Sequence, residues 1–195
     1  MKQYFIPAKV TIDLQIPEKE LKKIPAKVGI ITTIQHMHQI EDVQKQLPKS
    51  IIAGQVLGCT AQSAVRVQKK VDAFLYVGSG VFHPIMVSIA VNKPVYKYNP
   101  LTKKVTKPLK KDADKYLQKK QGKLIKFLSA RRIGILVTTK PGQEHLKWAK
   151  QLASRDDDKE YYLFAFDTLN QINMDDFNFI DMWVDTACPR IADEK

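Results

Sequence analysis

The chain has 195 residues, 44% of them apolar and 27% charged, which suits a globular protein of one large or two small domains. No apolar run is long enough to cross a bilayer, and "MKQYFIPAKV" lacks the apolar core of a signal peptide. Two cysteines form no disulfide framework, so a secreted disulfide scaffold is excluded and a cytoplasmic location is expected.

The chain is strongly basic, with 32 Lys and Arg against 20 Asp and Glu and a net charge of +12. Such a charge favours encounters with acidic partners. A nucleic-acid reader usually combines arginines with aromatic platforms, but here lysines predominate and are scattered. The pattern therefore favours a solvated lysine-rich surface, then docking to an acidic protein, and no specific nucleic-acid binding is expected.

A short extended segment is predicted at residues 4–14, and residues 17–24 lead from it into a first α/β unit. From Lys27 onward, apolar runs alternate with helical patterns. In chain order this unit is predicted to have a strand at 28–34, a helix at 38–47, a strand at 50–58, a helix at 60–71, a strand at 73–78, a helix at 83–91 and a strand at 94–100.

A lysine- and proline-containing stretch, residues 100–111, precedes a second unit. Its predicted elements are a helix at 112–130 with Asp112 as N-cap, a strand at 132–139, a helix at 142–154, a strand at 160–166, a loop or short helix at 167–177 and a strand at 179–185. The start of this unit aligns with the start of the first, Gly134 with Gly29, which favours an internal duplication.

The alternation of strands and helices predicts an α/β fold made of two tandem, similar units with small parallel sheets. The predicted division is a leading strand and linker at residues 1–24, a unit at 25–108 that contains Cys59, and a unit at 109–195 that contains Cys188.

Polar side chains follow several predicted strands, where open α/β sheets bind ligands. These residues include Thr33, Gln35, His36, Cys59, Ser79, Gly80, His83, Asp185 and Cys188. Taken alone, "TTIQH" also fits a strand end and a capped helix. "VGSGVFHP" fits either a tight turn or a backbone cradle for a carboxylate or phosphate. Two corresponding strand ends that each carry a thiol are less ordinary.

The two cysteines allow several interpretations. A redox CxxC or zinc ribbon is excluded, because Cys59 and Cys188 lie 129 positions apart. Each could be a buried thiol that packs as a small apolar side chain. A nucleophile paired with His36 or His83 is a second interpretation. Ligation of an iron–sulfur cubane is a third, and it needs a third thiolate that this chain lacks.

Five segments, taken in order, resemble one family: "TTIQHMHQIEDV", "GQVLGCT", "VDAFLYVGSGVFHP", "NKPVYKYNP" and "VDTACPRIA". They are similar to the archaeal diphthamide-biosynthesis enzymes, the 2-(3-amino-3-carboxypropyl)histidine synthases that act on elongation factor 2. The resemblance runs over nearly the whole chain. It implies three related α/β domains, usually in a homodimer, that each give one cysteine to a 4Fe–4S cluster. It also implies S-adenosylmethionine as cofactor, without the ordinary CxxxCxxC motif.

The resemblance implies that Cys59 and Cys188 are the cluster ligands of the second and third domains. The fourth iron, with no protein thiolate, would bind the methionine end of S-adenosylmethionine. Cleavage of the Cγ–S bond would then give a 3-amino-3-carboxypropyl radical that adds to the imidazole C2 of the target histidine. Further residues expected to face this cofactor are Thr33, Gln35, His36, Ser79, Gly80 and His83.

The chain departs from the family pattern at both ends. The first domain is absent, since "MKQYFIPAKV" resembles only its last strand and exit, and family members continue beyond "CPRIA". Three origins fit: a split gene whose partner chain supplies the missing domain and cysteine, a truncated reading frame, or a decayed copy. The leading hypothesis is a transferase component. Its alternatives are a non-catalytic accessory or electron-relay subunit, an inactive fragment, and a basic nucleic-acid-binding module that rests on charge alone.

Overall fold

The computed structural model of the chain describes residue 4 and residues 6–106, 110–168, 174–188 and 190–191. The chain divides into two compact units, Met1–Tyr116 and Leu117–Lys195. The division falls inside a long helix, whereas the sequence pattern placed the boundary between residues 108 and 109.

The first unit is built on a five-stranded sheet with the strand order β2-β1-β3-β4-β5. The first four strands are parallel and β5 pairs antiparallel with β4. The strands are β1 (Val28–Thr32), β2 (Ile51–Gln55), β3 (Ala73–Val77), β4 (Val95–Asn99) and β5 (Lys104–Thr106). The helices are α1 (Glu18–Leu21), α2 (Ile40–Gln46), α3 (Gln62–Val67) and α4 (Phe82–Val91), with 3₁₀ turns at Met37–Gln39 and Gln68–Lys70.

The two central strands of this sheet, β1 and β3, are buried along their whole length, as their continuous apolar runs predict. Alternate side chains enter two separate clusters. Ile30 and Leu75 pack in the cluster that contains α2. Ile31 and Phe74 pack in the cluster that contains α3 and α4. Helices therefore cover both faces of the sheet and leave its carboxyl edge to the loops.

The leading segment belongs to the first unit, and the prediction of a strand there is wrong. Residues 6–17 contain no strand. Leu14, Ile16 and Ile24 are nevertheless buried in the cluster that also contains Val28 of β1. A short apolar run predicts extended backbone, but it does not show whether a neighbouring strand is available to pair with it.

Two glutamines of the segment 37–46 bind the leading segment in place of a strand. The Gln39 side chain accepts from Ile12 N at 3.2 Å and donates to Ile12 O at 3.0 Å. The Gln46 side chain accepts from Ile16 N at 2.8 Å and donates to Leu14 O at 3.1 Å. Amide side chains offer both a donor and an acceptor, so they satisfy this backbone as a β-ladder does.

The stretch at residues 100–111 also differs from the prediction, which placed no strand in it. It contains strand β5, whose central Val105 is buried and whose backbone N–H donates to the buried Glu20 carboxylate at 2.7 Å. Three residues with one apolar side chain give no period that a sequence reading can detect. The next helix begins at Lys110, so Asp112 lies in its first turn and is not the N-cap.

The second unit has three parallel strands in the order β7-β6-β8. Its elements are α5 (Lys110–Ser129), which begins in the first unit, β6 (Arg132–Thr138), α6 (Leu146–Ala153), β7 (Glu160–Phe166) and β8 (Met182–Asp185). One sheet face packs Ile133 and Ile135 against Ala149 of α6. Part of the predicted loop at 167–177, residues 169–173, lies outside the described residues.

The α/β fold with parallel sheets is confirmed. In each unit the first strand lies between the second and the third. Gly29 pairs in register with Phe74, and Gly134 pairs in register with Trp183. These likenesses support the duplication, which stays a prediction. Among the described residues, no helix is both long and apolar enough to span a bilayer.

Asp181 connects the start of β6 to the segment before β8, and we expect a pH-dependent contribution to stability from it. Its carboxylate accepts from Arg132 Nη2 at 3.0 Å and from the backbone N–H of Arg132 at 2.8 Å. These contacts lower the pKa of Asp181 from 3.8 to about 2. The contribution is therefore fully present above pH 3.8 and is lost as the pH falls through about 2.

Asp181→Asn is thus expected to lower the urea midpoint of the second unit at neutral pH, and the difference from the native chain should shrink between pH 4 and pH 2. Tryptophan fluorescence reports this unit, because both tryptophans, Trp148 and Trp183, lie in it. Asp156→Asn is the control, since that residue is exposed. A difference that is constant down to pH 2 would contradict the assignment.

Candidate functional site at the carboxyl edge of the first sheet

The loops after β1, β2 and β3 meet at one edge of the first sheet. Val56 N donates to Thr32 O at 2.8 Å, and the Thr32 hydroxyl donates to Val77 O at 2.8 Å. Gly78 N donates to Tyr98 O at 2.9 Å. These hydrogen bonds continue between the chains just after the strands end. They hold the backbone in place at the point where the polar residues of the loops begin.

Cys59 lies in a tight turn that follows β2. Leu57 and Thr60 exchange two backbone hydrogen bonds of 3.2 and 3.3 Å around it. The Thr60 hydroxyl then accepts from Gln62 N at 3.3 Å, at the start of α3. The thiol of Cys59 is free and its residue is exposed. This geometry presents a sulfur ligand or nucleophile and argues against a thiol that packs as a buried apolar group.

The turn is held against the start of α4 by a close approach at Gly58. A Cβ at Gly58 would lie 2.4 Å from Cε1 of Phe82, so a larger residue would push the two segments apart. Phe82 in turn packs edge-on to His83, with ring centroids 5.8 Å apart. The residue before Cys59 is therefore in contact with the segment that carries His83.

Tyr76 connects the start of α4 to the end of β1. Its ring stacks on His83 with centroids 6.3 Å apart and planes 10° apart. Burial raises the pKa of the Tyr76 hydroxyl, and a hydrogen bond with Thr33 partly opposes this rise. Because the phenol stays protonated at neutral pH, it acts as a hydrogen-bond donor or acceptor and not as an anion.

A cavity of about 160 Å³ brings together Gln35, His36 and Ser79. Its remaining lining residues come from the leading segment and from the end of β4: Val10, Ile12, Pro100 and Leu101. A larger cavity of about 420 Å³ lies between residues 12–15 and α2. It is lined by Gln39 and Gln46, whose amides already bind backbone, so the smaller cavity is the better ligand site.

His36 is buried in the wall of the smaller cavity, with 8% of its surface exposed. Its Nδ1 is buried and has no hydrogen-bond partner. Burial lowers the pKa of His36, while a hydrogen bond from the ring to the backbone of Val10 acts in the opposite direction. The ring is therefore neutral at neutral pH.

The structure brings most of the residues expected at the cofactor together, but in two groups. Gln35, His36 and Ser79 line the cavity, and the Thr33 hydroxyl donates to the Gln35 side chain at 2.8 Å. His83 lies in the other group, against Tyr76 and Phe82. Gly80 is exposed, and a Cβ built there would meet no atom within 4 Å.

Sequence reasoning missed several residues of this edge. Tyr76 and Phe82 look like ordinary core residues in an apolar run. Val10, Ile12 and Leu101 are far from the motifs in sequence and reach the cavity only through the fold. The glycine before Cys59 was a usable signal, because a glycine next to a functional residue often marks a close backbone approach.

Cys188 follows β8 in the second unit, where a short loop is fixed by the strand end. Thr186 donates from its hydroxyl to Leu136 O at 2.7 Å. Asp185 accepts from Ala187 N at 2.8 Å through Oδ1, while its Oδ2 is buried without a partner. Burial raises the pKa of Asp185. Cys188 is free and half-buried, and its carbonyl accepts from Ile191 N at 2.9 Å.

The two thiols follow different strands of their units. Cys59 follows the second strand of its unit, whereas Cys188 follows the third. Those strands flank the first strand on opposite sides in the two sheet orders. The motif "strand, polar residue, cysteine" is local, so it does not show on which side of the first strand its own strand lies.

The donor chemistry of these cysteines fits an iron–sulfur cluster only in part. Thiolates are the ligands that such clusters take, and Cys59 is exposed enough to reach one. Within the part of the chain that the structure describes, no three His, Cys, Asp or Glu residues form a group able to hold a metal ion. A cluster held by four thiolates needs more cysteines than the two in this sequence.

Comparison of the sequence with known proteins identifies its family and several relatives. The model of the diphthamide synthesis protein family matches residues 1–193. The 2-(3-amino-3-carboxypropyl)histidine synthase of Pyrococcus horikoshii is 29% identical over 96% of the chain and 58% of its own length. The synthase of the same name from Methanocaldococcus jannaschii is 28% identical over 98% of the chain and 56% of its own length.

Solved structures agree with these relatives. The crystal structure of Dph2 from Pyrococcus horikoshii matches with a TM-score of 0.77 at 29% identity, covering 89% of this chain and 53% of that one. The structure of the same protein with a 4Fe–4S cluster matches with a TM-score of 0.76 at 28% identity, covering 89% and 54%. The chain thus spans just over half the length of these two synthases and of the Dph2 chains in the two structures.

Proposed function

Because the chain belongs to the diphthamide synthesis protein family, we propose that it is a component of a 4Fe–4S, S-adenosylmethionine-dependent transferase. The reaction is the transfer of a 3-amino-3-carboxypropyl group to a histidine of elongation factor 2, the first step of diphthamide biosynthesis. The observation that carries the proposal is the free, exposed thiol of Cys59 on a rigid turn at the ligand-binding edge of an α/β sheet.

Cys59 and Cys188 are the residues of this chain that would hold the cluster. The related Dph2 structure with a 4Fe–4S cluster supports this cofactor. The chain has two cysteines, so a third thiolate comes from a partner chain that supplies a further α/β domain. A homodimer of the resulting complex is part of the proposal, as is a cytoplasmic location.

The cluster, when bound, supplies one electron to S-adenosylmethionine, and the protein orients and shields the reactants. Phe82 keeps the Cys59 turn against α4 through its contact with Gly58, which fixes the position of that thiolate. Thr33, Gln35, His36, Ser79, Gly80 and His83 are the residues proposed to face S-adenosylmethionine. Their support is that all six follow β1 or β3 at the carboxyl edge of one sheet.

The test is anaerobic reconstitution of the chain, co-expressed with a candidate partner domain, using iron and sulfide. Cys59→Ala and Cys188→Ala are each expected to remove most of the bound iron and the visible absorbance of the cluster, because a ligand is lost. Modification of elongation factor 2 should be lost with them. Gln118→Ala, an exposed position on α5, is the control and should retain both.

A second candidate function is a non-catalytic accessory or electron-relay subunit. It is favoured by the absence of a complete ligand group within the residues that the structure describes. In that case the partner still binds, and modification of elongation factor 2 survives both Cys59→Ala and Cys188→Ala. Unchanged iron content and unchanged activity in the two variants would remove the transferase proposal.

A further inference from the structure

An exposed apolar surface runs along the part of α5 that belongs to the second unit. Leu124, Ile125 and Leu128 are 56%, 65% and 64% exposed, and Leu117 is 40% exposed. Residues three, four or seven positions apart lie on one side of an α-helix, so these four side chains form one surface, which we call the leucine stripe. It is about 16 Å long. Single exposed leucines are ordinary, but a contiguous row of this length indicates an interaction surface.

The second unit itself packs a different side of α5. Phe127 is half-buried and packs against the cluster that contains Ile133 and Ala149. The carbonyl of Leu128 accepts from Lys159 Nζ at 2.9 Å, which fixes the end of the helix. Consecutive residues of a helix point about 100° apart, so the side that carries Phe127 seats the helix while the leucine stripe stays exposed.

The charge of the chain segment that carries the leucine stripe is entirely positive. No acidic residue occurs between Asp114 and Glu144, a segment that contains eight lysines and arginines. Lys120 lies three residues after Leu117 and four residues before Leu124, so it borders the stripe directly. The stripe and its border therefore complement a surface that is apolar in the middle and acidic at the side.

Beyond Leu117, α5 has little to stabilise it as a helix. Lys119 and Lys123 are like charges four positions apart, which destabilises a helix. None of the lysines at positions 119–126 has an acidic residue three or four positions away. Gly122 lies inside the helix, where glycine is among the least favourable residues. A partner that supplies carboxylates would offset the repulsion between the lysines and order these turns.

Three other occupants fit the leucine stripe less well. A second copy of the chain would bring two basic helices together in a protein whose net charge is already +12. A nucleic-acid site needs arginines and exposed aromatic rings, but residues 117–129 contain no arginine and one aromatic residue, the half-buried Phe127. A helix that lies on a membrane usually has aromatic side chains on its apolar face, and this stripe is aliphatic throughout.

We propose that the leucine stripe is a docking surface for an acidic amphipathic helix of a partner protein. Apolar side chains of that helix pack on Leu117, Leu124 and Leu128, and its flanking Asp or Glu residues lie near Lys120. The inference goes beyond the proposed function and does not depend on it, because no residue of the stripe belongs to the sheet edge that carries Cys59.

The test uses synthetic peptides, because the partner is defined by its chemistry alone. One peptide has about 21 residues in three heptads, with leucine at positions a and d and glutamate at positions e and g. A second peptide has lysine in place of glutamate. In fluorescence anisotropy with the full chain, the glutamate peptide should bind at least about tenfold more tightly than the lysine peptide. Hydrogen exchange of residues 117–129 should slow when the glutamate peptide binds.

Two variants separate the apolar and the charged part of the surface. Leu124→Ser should weaken binding of the glutamate peptide by about tenfold, because a leucine side chain is no longer buried in the complex. Lys120→Glu should weaken it by about fivefold and strengthen binding of the lysine peptide. Lys119→Glu is the matched control, because it makes the same change of charge on the opposite side of α5. It should change either affinity by less than about twofold.

Several results would overturn the proposal. They are the absence of binding by the glutamate peptide, equal binding of the two peptides, equal effects of Lys120→Glu and Lys119→Glu, and no effect of Leu124→Ser. Dimerisation of the chain that Leu124→Ser abolishes would assign the stripe to a second copy. Leu124-dependent binding to phosphatidylserine-containing vesicles or to duplex RNA, without peptide binding, would assign it to a membrane or to nucleic acid. None of these measurements needs a cluster, so the transferase proposal can fail while this one stands, and the reverse.

Discussion

Gly29→Ala is expected to lower the free energy of unfolding of the first unit by about 1–3 kcal/mol, the usual range for overpacking a core. The added methyl group would lie 2.6 Å from Cε1 of Phe74, the residue that pairs with Gly29 across β1 and β3. Phe74 is fully buried, so its ring has no free space to move into.

Gly122→Ala is the matched control, because the same methyl group meets no atom within 4 Å there. Gly122 lies inside α5, so alanine should raise stability by roughly 0.5–1 kcal/mol through helix propensity. Both changes in stability are measured by urea unfolding, and hydrogen exchange of peptides from each unit shows in which unit the change occurs. Equal stability of Gly29→Ala and the native chain would show that the Phe74 ring moves freely.

Gly134→Ala extends this prediction to the second unit. Its methyl group would lie 2.5 Å from Cε3 of Trp183, the residue in register with Gly134 on β8. The tryptophan emission should therefore change together with the urea midpoint. A similar loss at both glycines would strengthen the case for duplication, since each unit would use a glycine on its first strand to admit an aromatic ring from its third.

Leu14→Ala is expected to cost about 2–5 kcal/mol in the first unit, the usual cost of removing a buried leucine side chain. Leu14 is 4% exposed and packs in the cluster that includes α2 and β1. Its backbone is also fixed, because its carbonyl accepts from the Gln46 side chain at 3.1 Å. Ile6→Ala, at an 88% exposed position of the same segment, should change stability by less than about 0.5 kcal/mol.

The Leu14 result also bears on the domain division. If residues 1–24 were only a linker from another domain, Leu14→Ala would leave the unfolding midpoint of the first unit unchanged. A large cost, measured by hydrogen exchange of β1 and β3, would show that the segment is part of this core. Chains shortened past Ile16 should then lose the cooperative unfolding of the first unit. They would also lack Val10 and Ile12, which form part of the cavity wall.

The amino-acid sequence by itself determined the identity and order of nearly all the elements. The strands at 28–32, 73–77 and 160–166 follow directly from continuous or β-rich apolar runs, which are local signals. It also placed the polar residues of the candidate site correctly at strand ends, because Thr33, Ser79 and Cys59 are chain neighbours of those strands. The family resemblance rests on the same local motifs, and the match over residues 1–193 confirms it.

Only the tertiary structure decided which of those residues meet. Contacts such as Gly58 with Phe82, Tyr76 with His83, and the leading segment with two glutamines join residues that are distant in sequence or have no distinctive pattern. The same holds for the side of the sheet on which each cysteine's strand lies. Strand order and side-chain packing depend on how the buried faces of all elements are satisfied together, and no local period in the sequence records that choice.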